Sequence, residues 1–106
     1  MRAEEVPYGC LVRGPGQSLL GRDARGLYAL SSLCGHVGCD LLSVGMLSET
    51  GIVCGCHGSR YQLDGTRLAG PTQRDLRHLK LTIRPDRTLA VDEATIVDAT
   101  ERTPDA

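Results

Sequence analysis

The chain has 106 residues and a net charge of -1, with 12 basic and 13 acidic side chains interspersed, which gives no electrostatic case for nucleic acid or an anionic membrane surface as a partner. With no Phe, no Trp and three Tyr, its core must rest on Leu, Val, Ile and Ala, and at this size such a core is modest enough that a cross-link or a metal would add to it. No apolar run approaches the ~18 residues that span a bilayer, and Met1-Arg2-Ala3-Glu4-Glu5 lacks the basic-then-apolar pattern of a secretory leader, so the chain reads as soluble, a reading equally compatible with the head of a longer anchored protein.

The first segments are short, apolar-rich and bounded by Gly, Pro or Asp: Tyr8-Gly9-Cys10-Leu11-Val12, Ser18-Leu19-Leu20-Gly21-Arg22 and Gly26-Leu27-Tyr28-Ala29-Leu30. They predict strands joined by turns, and nothing among them sustains a helical period. Two glycine-rich cysteine-histidine boxes follow, then the run from Leu76 to Arg84. In that run Leu79, Leu81 and Ile83 alternate with Lys80, Thr82 and Arg84, the pattern of a half-buried antiparallel strand. Pro85-Asp86-Arg87-Thr88 predicts a turn, Leu89-Ala90-Val91 the returning hairpin strand, and the polar tail from Thr100 to Ala106 is expected to fray. There is no internal repeat and no sign of a second domain.

The boxes carry the chemistry. The first is Cys34-Gly35-His36-Val37-Gly38-Cys39; after a 14-residue interval comes Cys54-Gly55-Cys56-His57-Gly58-Ser59-Arg60-Tyr61. Cys34, His36, Cys54 and His57 supply two thiolates and two imidazoles, a set that suits tetrahedral zinc. The same four suit an iron-sulfur cluster in which two histidines replace two cysteines on one iron. Zinc gives no reason for a second cysteine in each box, Cys39 and Cys56, or for the hydroxyl pair Ser59 and Tyr61 just beyond the second.

With these residues the chain resembles the Rieske proteins, whose pattern is Cys-x-His, a spacer, then Cys-x-x-His. Here Cys34-x-His36 is followed by 17 residues and then Cys54-x-x-His57. More narrowly it resembles the high-potential branch found in quinol:cytochrome oxidoreductases, in which each box carries one additional cysteine and the two form a disulfide. Cys39 and Cys56 stand at those positions, Ser59 and Tyr61 match the branch's serine and tyrosine, and Gly70-Pro71-Thr72 is similar to its cluster-covering proline loop. Gly35, Gly55, Val37 and Thr72 depart from the residues that branch commonly carries.

The resemblance implies an all-β fold: a single domain over 1–106, built as a small antiparallel scaffold with an inserted cluster-binding part of loops and short strands at about 31–72. It implies a 2Fe-2S cluster, with Cys34 and Cys54 on the iron that stays ferric and His36 and His57 on the iron that takes the electron. Ser59 and Tyr61 would donate hydrogen bonds to cluster or ligand sulfur and raise the potential. The Cys39–Cys56 disulfide would stabilise the chain by about 3 kcal/mol through its loop. The expected donor and acceptor are a quinol and a cytochrome-like redox protein, and the disulfide fits a periplasmic or membrane-complex location.

Two other functions compete with this high-potential carrier. One is a low-potential ferredoxin supplying a ring-hydroxylating dioxygenase, which the length suits but the extra cysteines and hydroxyls do not. The other is a structural zinc module. An oxygenase subunit with its own mononuclear iron is disfavoured, because His78 is the one histidine left over. His78 itself, beside Arg77 and Lys80, is expected to face solvent. Cys10, Tyr8 and Tyr28 are expected to pack in the scaffold, and Arg67, Arg74, Arg77, Arg84 and Arg87 to form a solvated surface.

Overall fold

A computed structural model describes residues 2–32, 45–48, 51–54, 60–69 and 75–104. Among these described residues, one 3-10 turn, Ala3–Glu5, precedes nine strands: β1 (Leu11–Arg13), β2 (Ser18–Asp23), β3 (Gly26–Ser31), β4 (Gly45–Ser48), β5 (Gly51–Cys54), β6 (Arg60–Tyr61), β7 (Arg67–Ala69), β8 (His78–Ile83) and β9 (Leu89–Val97). The local reasons are those the sequence offers. The Asp23 carboxylate accepts the Arg25 N–H at 2.9 Å and closes the β2–β3 turn, where Asp23 pairs with Gly26. Between β8 and β9, the Arg87 N–H bonds the Arg84 carbonyl, Arg87 adopts φ 74°, and the Asp86 carboxylate takes the Thr88 N–H and hydroxyl.

The strands form two antiparallel sheets, one of order β1-β2-β3-β8-β9 and one of order β4-β5-β6-β7. The second lies wholly between β3 and β8 in the chain, so the boxes belong to an insert in a scaffold sheet, as expected. The insert is closed at its neck: Leu30 pairs with His78, and the Ser31 N–H bonds the Arg77 carbonyl at 2.9 Å.

Alternation along the scaffold strands divides the apolar residues between two cores. Leu19, Tyr28 and Leu30 face the insert and join Leu11, Leu76, Ile52 and Tyr61. Leu20, Leu27, Ala29, Leu79 and Leu81 face the other way, where Ala3, Val6 and Leu89 close over them. Arg22 secures that cover by donating to the Val6 and Ala3 carbonyls at 3.0 and 2.8 Å. Burying each such leucine contributes about 1.5–3 kcal/mol, so both faces of β2 and β3 stabilise the fold.

Five expectations are corrected. His78 is buried, because the insert covers its end of β8; Lys80 and Thr82, farther along on the same face, stay exposed as predicted. The tail does not fray over its described part. Thr103 and Leu27 exchange backbone hydrogen bonds at 2.8 and 2.9 Å, the Thr103 hydroxyl reaches the Leu81 carbonyl, and Arg102 pairs with Asp23 at 2.8 Å. Tyr8 is exposed rather than packed, being the outer residue of a turn, whereas Tyr28 is buried as expected. Cys10 precedes β1 instead of lying within it and is half-buried. The returning hairpin strand is also longer than Leu89–Val91: β9 continues to Val97 past a bulge, where Leu79 opposes Ile96 but Lys80 opposes Asp92.

Candidate metal centre

Strand register decides where the boxes are delivered. Gly45 pairs with Cys54, Val53 with Arg60, and Arg60 with Ala69. The start of β4, the end of β5, the start of β6 and the end of β7 therefore form one row at one end of the inserted sheet. The first box belongs to the connection that reaches this row at Gly45. Residues 55–59 leave it from Cys54 and return at Arg60, and residues 70–74 leave it from Ala69. All three segments singled out in the sequence are joined to the same sheet end, which is what a centre fed by both boxes requires.

Of the expected site residues, Tyr61 is described in full and Cys54 by its backbone, as the last residue of β5. Cys34, His36, Cys39, Cys56, His57, Ser59, Gly70 and Pro71 lie outside the described residues. No disulfide occurs among the described residues, where Cys10 is a free thiol. Tyr61 is wholly buried, paired with Ile52 on β5 and placed four residues after His57. A phenol held there is withdrawn from water, the condition under which its hydroxyl serves an internal acceptor. Gly51 makes room for this arrangement: its φ is 153°, and a Cβ there would come within 2.6 Å of the Tyr61 carbonyl.

Two observations test the fit of a sulfur-rich group at this end. The donor set of two thiolates and two imidazoles matches a two-iron cluster with mixed ligands. Beside the first box, Ser32 is wholly buried; its N–H bonds the Gln17 carbonyl at 2.9 Å, but its Oγ has no hydrogen-bond partner among the described residues. A buried hydroxyl two residues before Cys34 is an unused donor where sulfur acceptors are expected. The residues fit. Sequence reasoning missed Ser32, since one serine between strand and box carries no signal of its burial.

It also missed a polar network at the far end of the inserted sheet. The Tyr28 hydroxyl donates to the Leu63 carbonyl at 3.0 Å, and His78 Nε2 lies 2.7 Å from the Asp64 carbonyl. The two rings are tilted neighbours with centroids 5.8 Å apart, and the Arg102 guanidinium sits 4.5 Å above the Tyr28 ring. Burial, with smaller contributions from nearby carboxylates, pushes the Tyr28 hydroxyl up to about 12, so it remains a donor at every physiological pH.

Comparison with known proteins agrees with this geometry. Residues 3–80 match the family described as the Rieske 2Fe-2S domain. The cytochrome b6-f complex iron-sulfur subunit of Synechococcus elongatus is 34% identical over 71 residues, covering 67% of this chain and 38% of the relative. The cytochrome b6-f complex iron-sulfur subunit 2 of Synechocystis is 31% identical over 78 residues, covering 74% and 42%. The chain thus spans about two fifths of the length of these curated relatives. Among solved structures, the ferredoxin of carbazole 1,9a-dioxygenase from Nocardioides aromaticivorans superposes with a TM-score of 0.55 at 22% identity, over 86% of this chain and 91% of that one. The plasma membrane Rieske protein of Synechocystis gives 0.51 at 23% identity, over 72% and 86%. These likenesses support the same antiparallel fold. The chain belongs to the Rieske 2Fe-2S domain family, and its centre is a 2Fe-2S cluster that transfers electrons.

Proposed function

We propose that the domain is a high-potential, proton-coupled electron carrier that accepts from a quinol or similar donor and delivers to a cytochrome-like acceptor. The observation that carries this reading is the burial of Tyr61 on β6, beside the end of the second box, in a chain whose boxes each hold an additional cysteine. The relatives named as iron-sulfur subunits of a cytochrome complex support it.

In this reading Cys34 and Cys54 hold one iron and His36 and His57 the other; Cys39 and Cys56 tie the two boxes by a disulfide, and Gly70-Pro71 covers them. When bound, the cluster takes up one electron at a time. Ser59 and Tyr61 donate hydrogen bonds toward sulfur, which favours the more negative reduced state. The outer nitrogens of His36 and His57 bind protons more tightly once that negative charge is added, so electron uptake and proton uptake are coupled at these two atoms. The midpoint should fall as pH rises through the oxidised-state values of the two imidazoles, by up to about 59 mV per unit for each proton; redox titration from pH 6 to pH 10 checks it, and a flat line would remove the proton coupling.

A second reading, a low-potential ferredoxin supplying a dioxygenase, is favoured by the length match to a dioxygenase ferredoxin, of which 91% is covered. Reduction of the intact protein by ascorbate, followed by electron paramagnetic resonance, separates the two. A rhombic signal with ascorbate alone is expected; a signal that needs dithionite would replace the first reading with the second.

A further inference from the structure

The network behind the inserted sheet has a geometry that packing alone does not call for. Two side chains from adjacent scaffold strands, Tyr28 on β3 and His78 on β8, grip consecutive backbone carbonyls, those of Leu63 and Asp64. Both belong to the turn between β6 and β7, at the end of the inserted sheet opposite the boxes. The same turn is anchored by the Leu76 N–H, which bonds the Gly65 carbonyl at 2.8 Å, and by the close approach of Gly65 to Leu30 and Leu76. A carbonyl only accepts, so Nε2 of His78 carries the proton. Nδ1 is then a bare lone pair, buried and without a hydrogen-bond partner among the described residues.

We propose that His78 and Tyr28 form a latch that holds the β6–β7 turn, and with it the inserted sheet, on the scaffold, and that the latch opens when His78 takes up a second proton. Protonation at Nδ1 creates a charged donor inside the core with no acceptor among the described residues, an arrangement the fold avoids by letting water in. The charged groups around the ring confirm the direction. Burial is the largest influence and lowers the proton affinity of His78 below that of an ordinary imidazole. The bond to the Asp64 carbonyl raises it, the Arg102 guanidinium from the tail lowers it, and the Asp64 and Asp98 carboxylates raise it, with lowering prevailing. Tyr28 stays a neutral donor throughout. In the open or unfolded chain His78 protonates near 6.5, the ordinary imidazole value, whereas the latched ring is held below it. Latch stability is complete above that pH and declines as pH falls from it toward the lowered native value.

The inference does not rest on the redox reading, and its test is amide hydrogen exchange of the intact, cluster-loaded protein. Between pH 7.5 and pH 5, protection factors at Gly65 and Leu76 should fall while those of the β2–β3 ladder hold. His78→Gln keeps a donor without titrating and should abolish the pH dependence while retaining protection in part. His78→Leu should lower protection at these two amides about tenfold at pH 7.5. Should His78→Leu not fold, Tyr28→Phe, which removes one hydroxyl, should still lower turn protection selectively. The proposal is overturned if turn protection in the unsubstituted protein is independent of pH, if His78→Gln retains the pH dependence, or if turn and scaffold lose protection together.

Discussion

The two sheets of this domain are built on different terms. Scaffold strands β2, β3, β8 and β9 run for 6 to 9 residues, and their alternating leucines fill a core on each face. The inserted strands run for 2 to 4 residues, and the insert contributes Ile52 and Tyr61, with half-buried Leu63, to the core it shares with the scaffold. A sheet this short does not stand alone in water. Among the described residues it is held by this shared apolar core and by the polar grip on its far turn. Regular hydrophobic pattern stabilises the scaffold, while the described part of the insert leans on a core that it shares with the scaffold.

Removing the metal should break that comparison most visibly. Cys54→Ser, or exhaustive chelation of iron after reduction, should abolish the visible absorption and strip exchange protection from β4, β5, β6 and β7, while β2, β3 and β8 remain protected. Uniform loss across both sheets would show that they fold as one unit. The two buried tyrosines sharpen the contrast next. Tyr61→Phe and Ser59→Ala should each lower the midpoint by about 60–130 mV, the one-electron equivalent of a lost hydrogen bond to a charged group. Tyr28→Phe, in the same core but bonded to a backbone carbonyl, should leave the midpoint in place. Cyclic voltammetry on the three variants decides it, and unchanged midpoints in both of the first two would remove the assignment of Ser59 and Tyr61.

The smallest effect concerns the tail's hold on the scaffold. Arg102→Ala removes a guanidinium that is 5% exposed, its ion pair with Asp23 and its contact with the Tyr28 ring. Thermal melting should register a loss of about 1–3 kcal/mol. Desolvation opposes ionisation of Asp23, but the Arg102 hydrogen bond, helped by the Arg25 N–H and the two charges, outweighs it and holds the carboxyl below its usual value. A carboxyl lowered in this way stabilises the fold above its unfolded value, and that stability is lost as pH falls through the native one. Arg102→Ala should flatten the acid limb of the stability profile below about pH 4.

Strands were legible wherever burial follows local alternation. Leu79, Leu81 and Ile83 read correctly because their neighbours in the chain supply the contrast. The family was legible because the spacing within each box is itself local. His78 was misread for the opposite reason: the residues that meet it, Tyr28 and Asp64, come from elements whose approach no local pattern encodes, and its charged neighbours pointed outward. The tail was misread likewise, since polarity near Arg102 does not reveal that Asp23, 79 positions earlier, awaits it. Long-range polar contacts were the part hidden from the sequence, and they are the contacts that bind insert and tail to the scaffold.

The closed neck of the insert makes the scaffold a socket. Because Leu30 already pairs with His78 and Ser31 with Arg77, β3 and β8 stay registered whatever is threaded between them. A cassette of different length or ligand chemistry can be exchanged at this point provided that it meets the apolar face of Leu19, Tyr28 and Leu30 and the polar grip of Tyr28 and His78, so redox character can evolve, or be engineered, on a framework that keeps its pairing.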